Sequence, residues 1–300
     1  MINPEKFPGI NREGSVLILV LLILALLIAV VTEFSYDVYT TTSGLYNWSS
    51  GVRLSELADS GADVAMEIFK ENSAAISYTY PGVITVPVPL AGVDDSLRIE
   101  IVDEQARFNI NSIIYPNGND NTEAIERFRR LVSLLELDGD IVDALADWID
   151  PDSEQRLADS EVGAKNAPFY TLEEILAVKG ITEEVYRKIK PYITVYGDLA
   201  GRIDINTAGR INIMSLSGSI DSELAERVIL YRDRSPLKSV TELKDVPGFK
   251  DLMNEIAGKY VVKSGYYRVR ATASYGNIKR ITDSVYSVTG KTKRIYYTLI

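Results

Sequence analysis

The sequence predicts an α+β chain in three parts: a long N-terminal helix that begins in a membrane, an antiparallel sheet under its second half, and a large all-helical domain inserted into that sheet. Three observations carry the prediction. Residues 16–31 form an apolar run without a charge or a proline. Segments of β-branched and aromatic residues occupy 83–103 and recur only at 266–300. Between them, 119–263 reads as helices separated by short turns. With 300 residues and 46% hydrophobic content, the chain is long enough for one large or two ordinary domains with a real core.

The first element starts at Arg12-Glu13-Gly14, a polar leader ending in glycine directly before the apolar run. As a helix, residues 15–32 rise roughly 27 Å at about 1.5 Å per residue, close to the ~30 Å hydrocarbon core of a bilayer. A secretory signal would place a small-residue cleavage site after the apolar core, but Thr32, Glu33, Phe34 and Ser35 follow it. The arrangement resembles the leader of type IV pilins and pseudopilins. That resemblance implies cleavage between Gly14 and Ser15, retention of the helix, and methylation of Ser15 as the new N-terminus. Most such proteins carry a glutamate at the fifth mature position. Here that position is Leu19, so the subunit has no carboxylate to neutralise the N-terminal ammonium of a subunit stacked beyond it.

The helix continues into polar sequence. Leu45, Trp48, Val52, Leu57, Ala58, Ala65, Met66 and Phe69 recur every three to four residues among Arg53, Glu56, Asp59, Asp63 and Lys70, one apolar stripe on a mostly polar rod. A break at 40–44, where β-branched residues precede Gly44, is the alternative. Strands follow at 83–90 and 96–103, joined through Gly92-Val93-Asp94-Asp95 as a hairpin. The remaining strands lie at 266–274, 279–288 and 293–300, rich in Tyr, Val, Ile and Thr. The predicted division is a leader at 1–14, a transmembrane helix at 15–35, a discontinuous α/β core at 36–118 and 264–300, and the insertion at 119–263.

The insertion is uneven in charge: residues 120–198 hold 9 basic and 18 acidic side chains, residues 199–263 hold 10 and 9. The acidic half contains Asp147-Trp148-Ile149-Asp150-Pro151-Asp152-Ser153-Glu154. On the calcium loop of an EF-hand, Asp150, Asp152, Glu154 and Glu161 fall at positions 1, 3, 5 and 12. Gln155 stands where the sharp turn needs glycine. A different oxygen-rich loop also suits a hard cation, and a solvated acidic loop is the plain alternative. Asp150, Asp152, Glu154, Asp159 and Glu161 are the candidate calcium ligands.

The second half contains Ile203-Asp204-Ile205-Asn206-Thr207-Ala208, Ala225-Glu226-Arg227-Val228-Ile229-Leu230-Tyr231-Arg232 and Leu243-Lys244-Asp245-Val246-Pro247-Gly248-Phe249, with a related hairpin at Ile175-Leu176-Ala177-Val178-Lys179-Gly180-Ile181. These resemble helix-hairpin-helix repeats of DNA-uptake receptors. In DNA-binding versions a Gly-apolar-Gly turn presents bare N–H groups to a phosphate. The turns here read Gly180-Ile181-Thr182, Gly218-Ser219-Ile220 and Gly248-Phe249-Lys250, each without the second glycine. The flanking helices are not basic, whereas phosphate contacts need clustered positive charge. The expectation is a SAM-like helical scaffold with no nucleic-acid partner, in keeping with the net charge of −10.

Taken together, three features resemble the K-type minor pseudopilins of type II secretion systems: the leader without its glutamate, the helical insertion, and the Phe108-Asn109-Ile110-Asn111 signature. Trp148, Ile149, Asp150, Asp152, Gly163, Ala164, Pro168, Phe169 and Tyr170 follow that family's calcium loop. Lys165 and Asn166 depart from it where the family offers two carboxylates. The resemblance implies a fibre-tip subunit that assembles with I- and J-type minor pseudopilins and other secretion subunits. It also implies processing by a prepilin peptidase and a single pass through the inner membrane, with the globular part in the periplasm. Two other readings stay open at this point: a membrane-anchored DNA receptor and a calcium-binding surface adhesin. No catalytic function is expected. Without Cys or His, thiol and imidazole catalysis, disulfides and Cys/His zinc sites are excluded, and the glycines form neither a Walker nor a dinucleotide fingerprint.

Overall fold

The structure, a computed structural model, describes residues 12–79, 82, 84–89 and 95–300. The leader residues 1–11 and the expected turn residues Gly92, Val93 and Asp94 lie outside them. In chain order the elements are α1 (Arg12–Ser73), β1 (Ile84–Pro89), β2 (Asp95–Asp103), β3 (Phe108–Asn109), α2 (Thr122–Leu134), α3 (Asp140–Ile149), α4 (Glu183–Ile189), β4 (Ile193–Thr194), β5 (Ile203–Asp204), α5 (Arg210–Met214), α6 (Ser222–Arg234), β6 (Tyr260–Val261), β7 (Tyr266–Tyr275), β8 (Ile278–Ser287) and β9 (Lys293–Leu299). The chain forms two compact units, residues 1–54 and 55–300.

In the first unit, α1 is unbroken through 40–44, so the alternative break there is absent. Thr40 turns its hydroxyl back onto the carbonyls of Tyr36 and Asp37, which lets a β-branched polar residue sit in a helix. Every apolar side chain from Val16 to Val31 is uncovered by protein. The helix is long and apolar enough to cross a membrane.

In the second unit, the end of α1 packs on a five-stranded antiparallel sheet in the order β1-β2-β7-β8-β9. Ala58, Ala62 and Met66 recur every fourth residue and are fully buried. Gly61 allows the closest approach: a Cβ there would come within 2.7 Å of a Leu97 methyl. The opposing face presents Leu97, Ile99 and Ile101 from β2 and Val269, Ala271 and Ala273 from β7, in strand alternation with exposed or half-buried partners. Polar clasps hold the helix edge. Asp63 accepts from the Tyr286 hydroxyl at 2.8 Å, and Arg294 reaches Asp59 at 2.5 Å.

Strands β2 and β7 are neighbours, with Asp103 opposite Tyr267, so the whole of 104–265 hangs from one pair of strand ends. This differs from the expected division at residue 119. Phe108, Ile110, Ile113 and Ile114 are already buried in the core of the inserted region. It is helical apart from two short parallel pairs, β3 with β4 and β5 with β6. It has two hydrophobic cores, one within residues 108–196 (joined by Val285 of the sheet) and one within 203–262.

These two modules repeat one design. Phe108-Asn109-Ile110-Asn111 in the first stands where Ile203-Asp204-Ile205-Asn206 stands in the second, and Pro168-Phe169 where Pro236-Leu237 stands. Asn111 donates to the carbonyls of Phe169 and Val195 at 2.9 and 3.0 Å and accepts from the Phe169 N–H at 2.8 Å. Asn206 does the same with Leu237 and Val262, at 2.8, 3.0 and 2.9 Å. Each buried amide thus ties the start of its module to the middle and the end.

Two buried carboxyls meet the junction between sheet and second module. Asp103 and Asp204 are both buried. Burial lifts Asp103 to about 6, against hydrogen bonds from Ser264, Thr207 and the Gln105 N–H. Burial and the charge of Asp103 lift Asp204 well above its ordinary value. Their protonated forms are favoured in the folded state. Stability from this pair is therefore complete below about pH 3.8 and falls as pH rises through 6 and beyond. Asp204→Asn, which mimics the protonated form, should raise stability at pH 7.5 by about 1–3 kcal/mol. It should also flatten the melting temperature between pH 5 and 8. Unchanged pH dependence in differential scanning calorimetry would refute this assignment.

Candidate metal centre

The site grows from the last turn of α3. Asp147 and Asp150 are three residues apart, so they emerge on one side of the helix. Asp150 ends the helix with extended backbone, its N–H still bonded to the Ala146 carbonyl. The following loop, 150–167, has no counterpart in the second module, where Ser235 alone separates α6 from Pro236. It returns through Ser160 and Glu161 to bring one oxygen each of Asp147, Asp150 and Glu161 within 4.8 Å of one another. Asp147 and Asp150 are buried and Glu161 is half-buried.

Two oxygens of this cluster are buried without a hydrogen-bond partner, Asp150 Oδ1 and Glu161 Oε1, as is Asn166 Oδ1 near the end of the same loop. Such atoms are costly to leave unmatched. Burial raises the Glu161 carboxyl, and the charges of Asp150, Asp147 and Asp152 push it further the same way. Asp150 is raised by burial, with Arg156 pulling against it. Among the described residues, Arg156 is the one basic group that pairs with Asp147 and Asp150. Its Nη1 bonds Asp147 at 2.5 Å and also Asp150, and its Nη2 bonds Asp120 at 2.7 Å. The Ser160 hydroxyl donates to Asp147, as does the Arg156 backbone N–H at 2.8 Å.

Of the five candidate ligands, the structure gathers Asp150 and Glu161. Asp152 is exposed and accepts from the Glu154 N–H at 2.8 Å, closing a local turn. Glu154 is exposed. Asp159 points to Lys179 at 3.1 Å. Asp147 joins them. The signal for Asp147 was its spacing of three from Asp150. Nothing local marked Asn166, which sits at φ 50° and donates to the Asp152 carbonyl at 2.7 Å while its own oxygen stays unmatched. Lys165, the other departure, bonds Glu174 at 2.6 Å and the Pro168 carbonyl at 3.0 Å, and lies 3.7 Å from the Tyr170 ring centroid. Three carboxylates gathered within 4.8 Å, two of them with an unmatched oxygen, are the donor set of a hard cation such as calcium.

The hairpin turns do not present a phosphate site. Gly180 and Gly248 adopt positive φ, 86° and 97°, as tight turns require. The Thr182 hydroxyl then accepts from the Val185 N–H and caps α4 itself, taking the place an anion would fill. At Gly248 a Cβ would meet a Leu224 methyl at 2.5 Å, so this glycine serves helix packing. Gly218 lacks the positive-φ turn altogether.

A membrane-length apolar helix, a helix end packed on an antiparallel sheet and a helical insertion between neighbouring strands define a membrane-anchored subunit of the pilin-like class. Residues 106–198 match the family model for type II secretion system protein K, and residues 200–261 match the helix-hairpin-helix motif. The chain is 24% identical to the type II secretion system protein K of Aeromonas hydrophila, across 96% of both chains. It is 25% identical to that of Pectobacterium carotovorum subsp. carotovorum, across 89% of this chain and 90% of the relative. Its fold is similar to a chain in the crystal structure of the GspK-GspI-GspJ complex from enterotoxigenic Escherichia coli, with TM-score 0.64 and 20% identity, covering 86% of this chain and 99% of that one. By these matches the chain is a minor pseudopilin of the type II secretion system, similar to its protein K. The DNA-receptor reading is not favoured.

Proposed function

We propose that this subunit sits at the tip of the pseudopilus with I- and J-type minor pseudopilins, and that together they start or cap the fibre for protein export. The observation that carries the reading is the insertion of 104–265 between the adjacent strands β2 and β7. A domain of that size beside the packing helix obstructs a subunit stacked above it, and Leu19 leaves no carboxylate for such a subunit's ammonium. The anchor helix passes once through the inner membrane and the globular part lies in the periplasm. Its role is assembly, not catalysis. Asp150 and Glu161, beside Asp147, would hold calcium, which would supply the positive charge that ties the 150–167 loop together. The protein's own part is to bring these oxygens to one place, through the end of α3 and the return of the loop at Ser160 and Glu161.

Expression with a prepilin peptidase should give an intact mass beginning at Ser15, one methyl group heavier. Purification from detergent-solubilised membranes should retain I- and J-type subunits. A mature form that starts beyond Val31, or complete loss of both partners under conditions that keep them paired with each other, would overturn the reading.

A further inference from the structure

We propose that Arg156 is a built-in competitor for the cation, so that this loop is ordered in two ways: by the guanidinium when calcium is scarce, and by calcium, with Arg156 moved aside, when it is abundant. The inference rests on the calcium reading above and concerns how tightly that site binds. Arg156 Nη1 lies between Asp147 and Asp150, two of the three carboxylates that cluster within 4.8 Å. Both oxygens of Asp147 are engaged, by Arg156 and by Ser160. Asp150 is divided: Oδ2 holds the guanidinium while Oδ1, Glu161 Oε1 and Asn166 Oδ1 remain unmatched. The cradle is thus half filled by the protein's own cation.

A divalent ion on Asp150 and a guanidinium on the same carboxylate repel across a few ångströms in a partly buried site, where such charges are poorly screened. The structure also provides an alternative place for the arginine. Asp120 lies outside the carboxylate triad, its side chain is 47% exposed, and it already holds Nη2 at 2.7 Å. Arg156 needs only to release Nη1 and keep its grip on Asp120 to clear the way. The second cation of the loop, Lys165, bonds Glu174 and the Pro168 carbonyl outside this cluster and does not compete.

The test is calorimetric calcium titration of the full chain in detergent. Arg156→Gln should bind calcium at least about tenfold more tightly than the unmutated protein, because one positive charge is removed from the cradle. It should also melt lower in chelator, because the apo loop loses its cross-link. Asp120→Asn, a change at the exposed edge, should weaken calcium binding in the unmutated background and leave it unchanged in the Arg156→Gln background, a non-additivity that a simple loss of negative charge would not produce. Calcium binding that is equal or weaker in Arg156→Gln, or an Asp120→Asn effect that persists there, would overturn the competition while leaving the calcium site standing. Should Arg156→Gln not fold, an unchanged affinity in Asp120→Asn alone would overturn it. Absence of calcium binding in every form would overturn both readings.

Discussion

Calcium at a hundredfold excess over its Kd should stabilise the full chain in detergent by about 2.7 kcal/mol relative to chelator, as for any ligand that binds only the native state. The gain arises where the structure leaves unmatched oxygens, Asp150 Oδ1, Glu161 Oε1 and Asn166 Oδ1. Thermal melts followed by circular dichroism provide the measurement. Asp150→Asn with Glu161→Gln should abolish the difference, since both substitutions remove charge from the same cradle while keeping its shape. Asp152→Asn should leave most of it, because the Asp152 carboxylate closes its own turn on the Glu154 N–H and lies outside the triad. Identical melts in calcium and chelator for the unmutated protein would reduce the loop to one held by Arg156 alone. A complete loss in Asp152→Asn would favour the EF-hand order of ligands over the triad.

Asn206→Ala should cost about 3–5 kcal/mol, and Asn111→Ala a similar amount, because each strands two carbonyls and an N–H in a buried core. Both side chains are buried, and each makes three bonds of 3.0 Å or less. Substitution by Asp should be no milder, since a carboxylate would face two carbonyl oxygens where the amide donates. The two positions should differ in one respect. Asn111 holds Phe169, directly after the acidic loop and Pro168, so Asn111→Ala should also weaken calcium binding, whereas Asn206→Ala should not. Urea unfolding monitored in calcium and in chelator separates the two effects. A loss below about 1 kcal/mol at both sites would mean that neither asparagine ties its module together.

Much of this molecule was legible along the chain because its signals are local and periodic. The apolar run from Val16 to Val31, the Ala58 and Met66 part of the later stripe, and the alternation of Leu97, Ile99 and Ile101 each repeat with the period of one element. By contrast, Leu45, Trp48 and Val52 of that stripe are exposed, and Leu54 and Ala62 are buried in their place. The observed strands, Ile84–Pro89, Asp95–Asp103, Tyr266–Tyr275, Ile278–Ser287 and Lys293–Leu299, lie within two residues of the expected ones. The hairpin glycines Gly180 and Gly248 were readable as well, because a tight turn constrains a single residue.

The rest depended on pairs of residues far apart in sequence. Asn111 and Asn206 looked like signature residues, yet their work is done on Phe169, Val195, Leu237 and Val262, partners at least thirty positions away. The duplication was hidden because the acidic loop, present in one copy only, shifts the spacing between matching motifs. Asp152 and Glu154 resembled ligands because acidic spacing was the available guide. The actual cluster was decided by where the loop returns, which sets Glu161 beside Asp147 and Asp150 and sends Asp159 to Lys179.

The sequence by itself determined the anchor, the order of helix, strands and insertion, the absence of thiol and imidazole chemistry, and the resemblance to the K-type pseudopilins. The first three follow from composition, period and short motifs, which need no knowledge of folding, and the last from likeness to a known family. Only the tertiary structure decided that the insertion begins at Glu104, that Asp103 and Asp204 share a buried junction, and that Arg156 stands inside the carboxylate cradle. Burial and proximity are properties of the packed chain: a charge alters its neighbours only when folding removes the water between them.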